Sequence, residues 1–152
     1  MQFLTLAFKL SNYAVLAGWL LLFSFPLWAA PIRTLALSLV VVFLCLSYSY
    51  TVFLGKRHDA LGEAPRGSFF SLRGVINLFK SPRAVLGGWI HILVFDLMMG
   101  LFIASDGAAR GIAHWLLLPA LFLTLMFGPA GLLLYLALRL VLGAEIGAIV
   151  LI

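Results

Sequence analysis

The sequence predicts an all-α fold: a polytopic membrane helical bundle with four transmembrane helices and both termini cytoplasmic. Three observations carry this. The chain of 152 residues is 64% hydrophobic and only 10% charged, whereas soluble domains carry about a quarter charged residues. Its apolar residues gather into runs long enough to cross about 30 Å of hydrocarbon. Its cations fall almost entirely to one side of those runs. The length suits a single integral membrane domain over residues 1–152.

The first crossing is expected at about 10–30, over YAVLAGWLLLFSFPLWAA, with weaker apolar residues leading in from Phe3. Lys9 is its only early cation, and Pro31 after Ala29-Ala30 leaves no clean small-x-small cleavage site, so the run reads as a retained helix. The second crossing, 34–54, closes at Gly55 and the charged stretch KRHD. The third, 84–104, starts directly after Arg83. The fourth, 112–138, spans roughly 40 Å at 1.5 Å per residue, longer than the hydrocarbon core, so it must tilt, kink or project. Pro119 and the group Gly128-Pro129-Ala130-Gly131 are its kink sites. The tail VLGAEIGAIVLI is too short for a fifth crossing.

Four crossings place Lys9, Lys56, Arg57, Arg66, Arg73, Lys80, Arg83 and Arg139 on one side, and only Arg33 and Arg110 on the other. This positive-inside imbalance puts both termini in the cytoplasm and argues for an even number of spans. The basic cytoplasmic loop, 55–83, has two readings. It fixes topology and touches anionic lipid headgroups, with SFFSLRGVINLF as an interfacial helix; or it is a lid or partner-docking segment over a cavity. The same cations do not indicate nucleic-acid binding, since no aromatic platform accompanies them. His58 reads as a solvated loop residue. Cys45, the single cysteine, reads as a small buried hydrophobe. With no CxxC and no Cys/His cluster of zinc spacing, neither a metal nor a cofactor is expected.

Asp96 is the costly residue. It lies in the middle of WIHILVFDLMMGLFI, and a carboxylate at bilayer depth is unfavourable by roughly 2.5–3.5 kcal/mol on insertion scales. On its helix it shares a face with Trp89, Gly100 and Ile103, while His91 lies about 140° around. The plain reading of Asp96 is a carboxyl that locks helices together; the sharper one is a functional acid or base. His91 and His114 are the residues available to work with it. His114 opens the fourth run beside Trp115 and also suits an interfacial position. A hairpin turning near residues 107–108 puts His114 at the level of Leu101, about five residues or roughly 7.5 Å from Asp96, and about ten residues from His91. One metal or haem iron held by both histidines is disfavoured by that axial offset. The same alignment sets Gly87-Gly88 opposite Phe127-Gly128, for close backbone approach. Asp106 and Arg110 read as loop charges near water, in and after the polar turn Ser105-Asp106-Gly107, and placed to pair with each other.

These segments resemble a known family. GGWIHILVFDLMMG is similar to the WxH…DLxxG segment of the plant abscisic-acid-deficient type proteins, associated with neoxanthin synthesis. GIAHWLLLPALFLTLMFGPAGLLLYLALR resembles the family's second signature, H…P…T…FGPxG…LLY…R, and Asn12, Gly18-Trp19-Leu20-Leu21 and Pro26 of the first run agree as well. The resemblance covers most of the chain and implies an integral membrane protein. In plastid members it implies redox-neutral isomerisation of an epoxide to an allene. The N-terminus carries no transit-peptide-like extension, so the chain is expected to be a bacterial-type member in the cell (inner) membrane, with a carotenoid-like or related lipophilic substrate. Acid–base chemistry is then expected at Asp96, with His91 and His114 as proton partners or orienters. The alternatives are a non-catalytic lipid- or carotenoid-binding membrane protein that assists other enzymes, and, more weakly, a b-haem protein. Four helices enclose little volume, so a homo-oligomer that completes the pocket is left open.

Overall fold

The computed structural model describes residues 2–55 and 67–142. Among these the elements are α1 (Gln2–Phe23), a 3-10 turn (Phe25–Leu27), α2 (Ala30–Ser49) running on into a π-helical segment (Tyr50–Leu54), α3 (Leu72–Leu78), α4 (Pro82–Ala109), α5 (His114–Phe127) and α6 (Pro129–Leu142), with no strand. Three stretches are long and apolar enough to cross a membrane: Gln2–Phe23, Ala30–Leu54 and Pro82–Ala109. Lys56, Arg57, His58 and Arg66 of the basic loop, and the tail from Gly143, lie outside the described residues.

The helices divide into two compact units, Met1–Leu16 with Ser38–Val94, and Ala17–Leu37 with Phe95–Ile152. In the first, Arg83 enters α4 and its Nη1 donates to the carbonyls of Val52 at 3.0 Å and Thr51 at 3.4 Å. These carbonyls belong to the π-helical end of α2, where the ordinary i→i−4 ladder is broken and acceptors are left over. Trp89 Nε1 reaches Asn12 Oδ1 at 3.4 Å, joining α4 to α1. Leu4, Val15, Leu44, Leu86, Ile90 and Val94 are buried here. The helix expected within SFFSLRGVINLF is present as α3, capped by Ser71 Oγ accepting from Gly74 N at 3.1 Å. Phe69, Phe70, Leu72 and Ile76 are exposed around it, the pattern of an interfacial helix. Cys45 is exposed on α2 rather than buried: a thiol on a lipid-facing helix surface needs no protein cover.

In the second unit Trp19, Leu22, Leu97, Ile103, Leu117 and Leu121 form the core. Gly100 lets α4 approach α1 closely, since a Cβ there would come within 2.7 Å of the Trp19 ring. Small residues at such crossings are how helices pack where lipid removes the hydrophobic drive between them.

Two expectations are corrected in this unit. Helix α4 runs on through Ser105-Asp106-Gly107 to Ala109, so those residues form its last turns, and the chain reverses instead at Arg110–Ala113, with Gly111 at φ +68°. More consequentially, the single fourth crossing over 112–138 divides into α5 and α6, each of 14 residues. Each is about 21 Å long, short of the roughly 30 Å core. Pro119 lies inside α5 without ending it. The break is at Gly128, whose φ of +41° and ψ of −92° fall where a residue with a Cβ is strained. Pro129, with no N–H, follows and cannot extend α5.

Helix α6 then runs back beside α5. Gly131 sits directly on Thr124, with no room for a Cβ between them. Gly128 lies at Asp96 of α4, while further along α6 Tyr135 meets Phe102 and Asp106, and Arg139 meets Asp106. Contacts that rise together along α4 and α6 mean that the two run the same way, so α5 and α6 form a helical hairpin beside α4.

Candidate functional site

Asp96 is half-buried on α4, and its carboxyl faces the hairpin tip: a Cβ at Gly128 would lie 2.5 Å from Oδ1. The tip is held by short-range hydrogen bonds, Gly128 N to Thr124 O at 2.9 Å and Gly131 N to Gly128 O at 3.0 Å. Thr124, fully buried, returns its hydroxyl proton to Ala120 O at 2.8 Å. Helix α6 therefore begins beside the carboxylate. Pro129 has no N–H, and Gly131 and Leu132 donate to Gly128 O, so Ala130 N–H is the one early donor of α6 without an intrahelical acceptor; the positive end of a helix favours a nearby anion. Breaks of this kind occur at membrane depth where backbone is covered by protein or lines a cavity.

Both histidines make aromatic contacts. His91 is exposed on α4, five residues before Asp96, and its ring lies 5.9 Å from that of Tyr48. His114 Nε2 lies 3.0 Å from Phe23 O and its ring stacks on Phe25, centroids 6.0 Å apart and planes 14° apart. Because Gly128, after the far end of α5, is at Asp96, His114 stands about 21 Å from that level. Asp96 and His114 are thus at opposite ends of α5, farther apart than a straight fourth helix implied. The glycine alignment also changes. Gly87 faces Val52 and Gly88 faces Phe79, while Gly128 takes Asp96. Among the described residues no three His, Cys, Asp or Glu side chains gather in a way that would hold a metal.

The pairing of Asp106 with Arg110 was expected, but the sequence reading missed that Tyr135 and Arg139 join them in a polar cluster at the far end of α4. Asp106 Oδ2 accepts from Arg110 Nε at 2.8 Å and from the Tyr135 hydroxyl, and Arg139 Nη1 is 3.6 Å away. The bond to Asp106 pushes the Arg110 guanidinium further above its ordinary value. Tyr135 is fully buried and Arg139 is 8% exposed. One carboxylate thus ties two residues of α6 to the end of α4. Arg139 read as a topology-setting cation, and the only available hint to its role was the spacing of Tyr135 and Arg139, four apart on one helical face.

A family model described as ABA DEFICIENT 4-like matches residues 6–135. No curated protein and no solved structure gives a significant match. The match covers the α4 signature around Asp96 whole and the second signature, over α5 and α6, as far as Tyr135. The chain is a member of the ABA DEFICIENT 4-like family and, with its long apolar helices, a membrane protein.

Proposed function

We propose that this protein binds a carotenoid-like or related lipophilic molecule within the bilayer and isomerises it by acid–base chemistry at Asp96. The observation that carries the reading is the Asp96 carboxyl lodged against the Gly128 break between α5 and α6. A carboxylate in an apolar span beside a broken helix is an expensive arrangement, and such groups are functional by default. In the reaction that the family resemblance implies, a base removes a vinylic proton, the epoxide C–O bond opens and an acid protonates the oxygen. The product is an isomer, and no oxidant or reductant is needed. Asp96 is the proposed proton acceptor. His91, on the same helix, is the proposed proton partner, and His114 is a more distant orienter.

The 21 Å between Asp96 and the level of His114 favours one other reading, a non-catalytic lipophile-binding protein. Mass spectrometry of pigments and lipids that copurify with the wild type and with Asp96→Ala, followed by incubation with the recovered compounds, separates the two. Turnover by the wild type supports the enzyme. Binding without turnover supports the carrier.

We further infer three crossings, by α1, α2 with its π-helical end, and α4, followed by the re-entrant hairpin. Lys9, Lys56, Arg57, Arg66, Arg73, Lys80 and Arg83 then share one face, and Arg33, Arg110 and Arg139 the other. The positive-inside rule assigns the first face to the cytoplasm and carries the end of α6 to the opposite one. Of the three cations left outside, Arg110 and Arg139 engage Asp106 and Arg33 engages backbone carbonyls.

A further inference from the structure

A second site lies at the end of α5 remote from Asp96. A pocket of about 320 Å³ opens between the α1–α2 turn, the last turns of α4 and the first turn of α5, lined in part by Phe25, Arg33, Ala104, Ala108, His114 and Leu117. Its size is at the lower end for small-molecule sites. We propose that it binds the phosphate of an anionic lipid headgroup at the membrane boundary, with Arg33 and His114 as its polar ligands.

The Arg33 guanidinium is already fixed in place. Its Nη1 donates to Phe25 O at 3.0 Å and Trp28 O at 3.4 Å, and its plane sits 3.5 Å over the Phe25 ring. Among the described residues Nε and Nη2 have no hydrogen-bond partner, so a fork of donors remains for a bidentate oxyanion. His114 is fixed just as firmly by Phe23 O and the stack on Phe25. Donation from Nε2 leaves Nδ1 for the headgroup, in the imidazolium as a donor to a phosphodiester oxygen and in the neutral ring as an acceptor from a headgroup hydroxyl.

Charge and walls agree with this. The pocket's lining contains no carboxylate. Asp106, two residues from both Ala104 and Ala108, is about 200° around α4 from each and is occupied by Arg110 and Tyr135. A phosphate in the pocket would therefore meet one uncompensated cation. The alanines, Leu117 and Phe25 give the apolar side that a lipid's glycerol and first methylenes need, and a soluble anion does not.

The test uses the full chain purified in a neutral detergent. Native mass spectrometry and thermal shift are compared for phosphatidylglycerol, phosphatidylcholine and inorganic phosphate. Phosphatidylglycerol is expected to bind in preference to phosphatidylcholine, and inorganic phosphate to compete only weakly. Arg33→Gln should weaken the binding about tenfold or more, as expected for losing a hydrogen bond to a charged group. Since Arg33 also braces a turn, Ala108→Phe provides a second variant: it fills the pocket from an exposed position without touching either polar ligand, and should abolish the preference. Full competition by inorganic phosphate would support the anion site and assign it to a soluble phosphate. Equal binding of the two lipids by the wild type, or an unchanged preference in both variants, would overturn the proposal.

Discussion

The Tyr135 hydroxyl donates to Asp106 across the gap from α6 to α4, and Arg139 approaches the same carboxylate oxygen one turn further on. This one carboxylate closes the hairpin against the helix it folds beside. Tyr135→Phe removes a buried hydrogen bond to a charged group and is expected to destabilise the fold by about 1.5–3 kcal/mol. Asp106→Ala takes this acceptor from Tyr135, Arg110 and Arg139 together and is expected to destabilise more than Tyr135→Phe. Unfolding in mixed micelles would rank the two, and equal stability of all three proteins would refute the clamp.

Gly128 is expected to tolerate no side chain. Its φ of +41° is unfavourable for an L-residue, by about 1–2 kcal/mol, and a Cβ would press on Asp96 Oδ1. Gly128→Ala should therefore lose at least that much stability in the same assay. An unchanged midpoint would mean that the tip is not seated on the carboxyl.

Ser11 has its hydroxyl buried with no hydrogen-bond partner among the described residues. Desolvating such a group without compensation is unfavourable by about 1–3 kcal/mol. Ser11→Ala is accordingly expected to be neutral or stabilising, which a thermal melt in detergent would show. A marked loss of stability would reveal a partner for that oxygen.

Under the three-crossing arrangement proposed above, the end of α6 reaches the face opposite the N-terminus. With Cys45 replaced by serine, single cysteines at Lys80 and at Leu142 are expected to react with a membrane-impermeant thiol reagent from opposite sides of the membrane. Labelling of both from the same side would restore four full crossings.

The long helices were legible because each holds a long apolar run bounded by charge, although α1 extends back past Lys9 to Gln2: Lys9 ahead of the first run, Lys56 and Arg57 after the second, Arg83 ahead of the third. The α3 helix was legible for a related reason, its apolar residues being interleaved with Arg73 and ending at Lys80. The reversal at Gly128 was hidden because no charged residue interrupts the apolar run there. Residues 112–138 therefore read as one run, with Gly128-Pro129 as a kink among others. Pro119 looked equivalent from sequence, yet α5 passes through it, since a proline removes one hydrogen bond whereas Gly128 also permits a positive φ. Asp96 stood out by its price in lipid. Asp106 did not, because a carboxylate near a helix end looks like an ordinary loop charge until Tyr135 and Arg139 are folded back onto it.

The role of Asp96 is tested most directly by substrate conversion. Wild type and Asp96→Asn, matched for thermal stability and for binding of the copurifying lipophile, would be incubated with that compound and the isomers resolved by chromatography. The expected result is retained binding with conversion reduced at least a hundredfold, the scale of losing a general acid or base. Conversion by Asp96→Asn at the wild-type rate would contradict the assignment of the chemistry to this carboxyl.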